Sequence, residues 1–329
     1  MGFWADLRYR LQDFLGLETS DTPLGEEEPP QILQPRVLLI TFNPIIRSEG
    51  GRRLTDVLGW HNVDELCREY IADLRECSRG FLEYRIVQRI AVDAWPRKID
   101  GFRYDGDGFL ECWRSRSGFH EPDSVDYGAI LQDFDLLARV ESGQIDEVWL
   151  FGFPYAGYYE SLMVGPRAFW CNAPPMPVNN GISRRFVIMG FNFERGVGPM
   201  LESFGHRLES HLKYTWRRRR GEDNLWERFI RYDQVAPGRA NCGWMHYAPN
   251  SLIDYDWGNS TVVRSNCDDW LNFPNFQGTW QEVDCRAWGN GDMRAHHKWW
   301  FKRLPYAPGD TQGISNNWWL YGVDPNLPR

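Results

Sequence analysis

Apolar and polar positions follow one another in blocks along this chain, and the period of the blocks names the elements. RVLLITFNP (36–44) is a short apolar run closed by Asn43 and Pro44, the pattern of a strand buried on both faces. EYRIVQRIAV (83–92), DEVWLFGFP (146–154) and RRFVIMGFNFERG (184–196) repeat it. Between them the period lengthens. Residues 63–77 put Leu66, Tyr70 and Leu74 on one stripe, with Asp64 and Glu65 in the first turn, which predicts a helix. Further helices are predicted over 125–140, 197–214 and 224–232. FRYDGDGFLEC, around 101–113, places an Asp-Gly dipeptide between alternating apolar residues and predicts a hairpin.

The order is strand, helix, strand, hairpin, helix, strand, strand, helix. It predicts an α/β fold, a mainly parallel sheet covered by helices on both faces, with a barrel as the rival. Ligands of such sheets bind outside the carboxyl ends of the strands. That rule brings Asn43, Trp95, Tyr155, Asn192, Glu194 and Arg195 to one rim.

The pattern differs at both ends. Phe3, Leu7, Leu11 and Phe14 predict a short amphipathic helix, an element that can dock on its own body or on another chain. An acidic, Pro-containing linker follows. From about residue 240 no helical period lasts more than a turn or two, and nine of the 17 Trp fall there among ten Asn. HHKWWF (296–301) reads as extended in this stretch. Bare Trp aggregates, so this segment is expected to pack on the sheet. The organisation expected is 1–34 helix and linker, 35–239 α/β core, and 240–329 an irregular Trp/Asn-rich layer completing the same globular unit.

Composition narrows the function classes. With 42% apolar and 25% charged residues the chain is globular, and no run approaches the ~18 apolar residues of a membrane span. A net charge of -8 argues against nucleic acid, which needs a basic face; the four arginines at 217–220 read as a solvated helix end. The first residues carry Asp, Glu and Arg through their apolar stretch, unlike a signal peptide. As written the chain reads as cytoplasmic, and a secreted protein trimmed of its leader would read the same. Seven Cys contain no C-x-x-C pair, and neither a P-loop nor a G-x-G-x-x-G after a strand supports a nucleotide cofactor.

Candidate chemistry centres on SFGHRLESHL (203–212). His206 and Glu209 are three apart on a predicted helix, so they share a face and suit one divalent metal or an acid/base pair. His211, five residues on, points away. His246 is the best third ligand, in what reads as a strand feeding a loop, with Asp254 and Asp256 behind it on one side of an extended segment. A His206, Glu209, His246 set would suit zinc, leaving a place for water. Glu194 and Glu160, at neighbouring strand ends, could instead flank a glycosidic bond. Asn192, Arg195 and Tyr155 are candidate binding residues, and Cys171 reads as a buried, inert thiol.

The leading expectation is a hydrolase acting on a small molecule, glycan or peptide by metal-assisted or His/Glu acid-base chemistry. The alternatives are a non-catalytic carbohydrate- or peptide-binding protein with an aromatic-lined cleft, and a structural role.

Overall fold

The computed structural model describes residues 32–328. The N-terminal amphipathic helix and most of the acidic linker therefore lie outside the described residues.

Six strands form the main sheet: β1 (Arg36–Phe42), β4 (Arg85–Val92), β5 (Glu147–Gly152), β6 (Ser161–Gly165), β7 (Met176–Pro177) and β8 (Phe186–Asn192). β2 (Ile45–Ile46) and β3 (Arg52–Arg53) make a small separate hairpin. The order across the main sheet is β4-β1-β5-β8-β6-β7. β4, β1, β5 and β8 run parallel, while β6 is antiparallel to β8. The sheet is open, so the barrel is excluded.

The helices in chain order are α1 (Leu54–Leu58), α2 (Val63–Cys77), α3 (Gly106–Ser115), α4 (Tyr127–Asp133), α5 (Leu136–Glu141), α6 (Val197–Trp216), α7 (Leu225–Phe229), α8 (Met293–Phe301) and α9 (Trp318–Val323). Side chains alternate across a strand, so each strand feeds two cores. Leu38, Ile40, Val148, Leu150 and Ile188 pack with Ile130 and Leu131 of α4 and Leu136 and Val140 of α5. Val37, Leu39, Trp149, Phe151 and Met189 face the other way, toward Tyr70 and Leu74 of α2 and Phe204 and Leu208 of α6. Each such aliphatic side chain removed from water contributes about 1.5–3 kcal/mol.

Several local expectations give way. The stretch read as a hairpin at 101–113 holds α3 instead: Asp105 is its N-cap, accepting the Gly108 N–H at 2.8 Å, and Phe109 and Leu110 are buried. The Asp-Gly signal was a cap, not a turn. The single helix expected at 125–140 is two, broken where Asp135 sits at φ +50°. β6 and β7 are additional strands. HHKWWF is helical, within α8, and buries both His296 and His297.

The C-terminal third packs most of its Trp inward, as its composition implies. Trp270, Trp288, Trp300, Trp318 and Trp319 are almost wholly buried, beside buried Asn241, Asn250, Asn266 and Asn316. They join the core on the α6 face. All seven cysteines are free. Among the described residues no helix is long and apolar enough to cross a membrane.

Candidate metal centre

The site is built on α6, whose rotation about its own axis is fixed by a buried ion pair. Arg207 Nη1 lies 2.6 Å from Glu147 Oε2 on β5, and Glu147 Oε1 also accepts the Trp149 indole N–H at 2.8 Å. With Arg207 turned to the sheet, its neighbour His206 projects to the side. The stripe through His206 at i, i+4 and i+7 is Glu202, His206 and Glu209.

A loop meets this stripe. At Gly205 an added Cβ would stand 2.0 Å from Met245 Sδ, so glycine lets the 245–246 segment lie directly against the helix. His246 Nε2 thereby comes within 2.9 Å of His206 Nε2 and 2.8 Å of Glu202 Oε1, while Glu202 Oε1 and His206 Nε2 are 3.7 Å apart. His246 is in a tight turn, where Trp244 and Tyr247 pair through their backbones, and not in a strand.

The far nitrogen of each imidazole is held by a carboxylate. His206 Nδ1 lies 2.8 Å from Glu209 Oε2, and His246 Nδ1 lies 3.0 Å from Asp254 Oδ1. Facing ionised carboxylates, both Nδ1 atoms carry the proton. When the rings are neutral, both Nε2 atoms therefore present lone pairs, toward each other and toward Glu202. Three acceptors converge on one point, an arrangement that asks for a cation. A proton is one such cation: burial opposes charge on His206, but Glu202 and Glu209 outweigh it and raise its pKa to about 10. For Glu202, too, burial opposes the charge, and hydrogen bonds from both imidazoles outweigh it, holding the carboxyl well below its usual range.

A divalent metal is the other cation that suits the set. Ligands on tetrahedral zinc, at about 2.0–2.1 Å, stand roughly 3.3 Å from one another, and the three separations here bracket that value. Two imidazoles and one carboxylate, with a carboxylate behind each imidazole, also fit zinc chemically. Among the described residues, Glu202, His206 and His246 are the group of His, Cys, Asp and Glu side chains that can hold a metal.

Glu209 thus stands elsewhere than a first-sphere place. The two nitrogens of an imidazole point in divergent directions, so a carboxylate on Nδ1 cannot share an ion with Nε2. It orients His206 instead, and its Oε1 accepts the Met245 N–H at 2.8 Å, tying helix to loop. Glu202, whose Oε1 faces both Nε2 atoms, was open to the same helical-spacing argument. Asp254 and Asp256 do not share a side, because their segment is not extended. Asp256 accepts the Leu252 N–H and the Asn259 amide within the loop.

The remaining candidates fall into a second group. Tyr155, Asn192, Glu194 and Arg195 line one cleft of about 490 Å³ beyond the ends of β5 and β8, together with Trp113 and Arg116. Glu194 is exposed and lies 3.8 Å from its neighbour Arg195. Glu160 is the electrostatic link between the groups. Burial raises its pKa, Glu202 adds to the rise, and His206, His246 and Arg195 oppose it. Its Oε2 accepts the Asn172 side-chain amide at 2.7 Å.

Cys171 is fully buried, 3.5 Å from His211 Nε2. Burial pushes the thiol up to about 11 and the imidazole down to about 3, so the pair is neutral. That is the environment of an unreactive thiol.

No family model matches the chain, and no curated protein is significantly similar to it.

Proposed function

We propose that this chain is a metal-dependent hydrolase acting on a peptide or glycan, with Glu202, His206 and His246 as ligands. The observation that carries the reading is the convergence of three acceptor atoms whose imidazole tautomers are fixed from behind. Glu202, His206 and His246 would hold a zinc ion with a position left for water, whose pKa the ion would lower to about 7, and bound zinc would also polarise a carbonyl. The chain's own residues do the rest. Glu209 and Asp254 orient the imidazoles, and Glu160, whose pKa burial raises, moves the proton between water and leaving group. Tyr155, Asn192 and Arg195 bind the substrate in the cleft beyond the ends of β5 and β8.

One observation favours the second reading, a non-catalytic binding protein. The cleft carries stacked rings, with Tyr155 3.5 Å from Phe119 and Arg116 3.9 Å over Trp113, as a glycan- or peptide-binding surface would.

Titrating metal-free full-length protein with cobalt(II) separates the two. The hydrolase reading expects one cobalt per chain, with the intense visible bands of a four-coordinate site, displaced by zinc and lost in Glu202→Gln. Absence of saturable binding at micromolar cobalt would overturn it.

A further inference from the structure

Tyr255 stands over the cluster in a conformation that bulky side chains rarely adopt, at φ +60°. Anchors on both sides keep it there. Its N–H donates to the His246 carbonyl at 3.0 Å, and the next residue, Asp256, is bound to the Leu252 N–H and the Asn259 amide. The ring packs 4.3 Å from the His246 imidazole and edge-on to Trp257 at 5.3 Å, and the Trp257 indole donates to the Met245 carbonyl. The strained backbone lays the ring along the His246 imidazole. The residue is 50% exposed, so the phenol touches both the cluster and solvent. Strain maintained by this many contacts marks a position where the side chain's place matters more than its local comfort.

We infer that Tyr255 is a catalytic residue: its hydroxyl donates a hydrogen bond to the substrate oxygen that gains negative charge when water attacks a carbonyl at this site. The inference rests on the metal-dependent reading and narrows its substrate class to amides and esters, since glycoside cleavage develops no such oxyanion. In the step, a bond forms between the water oxygen and the carbonyl carbon. The C=O π pair moves onto the oxygen that Tyr255 faces, and the proton lost by water passes to Glu160. Tyr255 keeps its own proton throughout.

The test uses the full chain loaded with cobalt(II) and titrated with acetohydroxamate, whose oxygens mimic the attacked carbonyl. Binding is read from the cobalt visible spectrum in wild type and in Tyr255→Phe, which keeps the ring against His246. The variant should bind cobalt as wild type does but acetohydroxamate about tenfold more weakly, the loss expected for one hydrogen bond to a charged oxygen. Equal acetohydroxamate affinity would overturn the role of Tyr255 and leave the metal centre standing. Weakened cobalt binding in Tyr255→Phe would also overturn it, showing that the hydroxyl serves to hold the metal group and not the substrate. Wild-type protein that binds no cobalt would remove the underlying reading itself.

Discussion

The two faces of the sheet are packed by different means. On one, Leu38, Ile40, Val148, Leu150 and Ile188 meet α4 and α5, which come just before β5 in the chain, and the contacts are largely aliphatic. On the other, Trp149, Phe151 and Phe191 meet α2 and α6, and residues from beyond 240 complete the layer with Trp. Much of that layer has irregular backbone whose carbonyls lack a ladder. Indole N–H groups serve them: Trp257 donates to Met245 at 3.1 Å, Trp288 to Trp257 at 2.8 Å and Trp300 to Gly243 at 2.9 Å. One ring thus supplies burial and a donor together, which aliphatic residues cannot do. The group able to hold a metal lies on this second face, where a loop is fixed by side chains against a helix.

The largest expected contrast comes from deleting one residue on each face. Trp300→Ala should cost about 3–5 kcal/mol in chemical denaturation and also weaken cobalt binding, because the Gly243 carbonyl beside the His246 turn loses its donor. Ile188→Val on the aliphatic face should cost about 0.5–1.5 kcal/mol and leave cobalt affinity unchanged. Equal costs, or unaltered metal affinity in Trp300→Ala, would break the comparison. A narrower effect is expected for Glu209→Gln. The amide can accept from only one of its two donors, His206 Nδ1–H or Met245 N–H, and metal affinity should fall about 10–100-fold with little change in melting temperature. An unchanged affinity would detach Glu209 from the centre.

A further effect, gradual and not abrupt, concerns pH. Burial lowers His211 to about 3, so the folded state keeps it neutral where the unfolded chain takes up a proton below its ordinary value of 6.5. Its contribution to stability is complete above 6.5 and is lost progressively as pH falls toward 3, on the order of 1 kcal/mol per pH unit. His296, also lowered by burial, acts in the same direction. A melting temperature that stays flat between pH 6.5 and 4.5 would contradict this.

The strands and long helices were legible because one period runs unbroken through them: β1, β5 and β8 as apolar runs, α2 as a single stripe. α8 was not, since consecutive His and Trp hide the helical repeat in an element buried nearly all round. β6 escaped as a five-residue run in a Gly- and Pro-rich stretch. At the candidate centre, His206 and His246 were legible as residue types, and the i+3 spacing drew attention to Glu209. The role of Glu202 was set by which imidazole nitrogen faces which carboxylate, and that depends on a loop 40 residues away along the chain from His206. Tyr255 left no sequence signal, because its place follows from a backbone angle.

The bare face at Gly205 has a consequence for the order of events during synthesis. Glu202 and His206 leave the ribosome together on one helix, but His246 reaches them only when its turn seats on that glycine. The turn is secured by Trp300, which emerges more than fifty residues later. A nascent chain holding just α6 therefore carries two of the three side chains that could hold a metal. The group is complete only once the last third has been made and docked, so on the proposed metal-dependent reading an ion would meet the full set of acceptors only then.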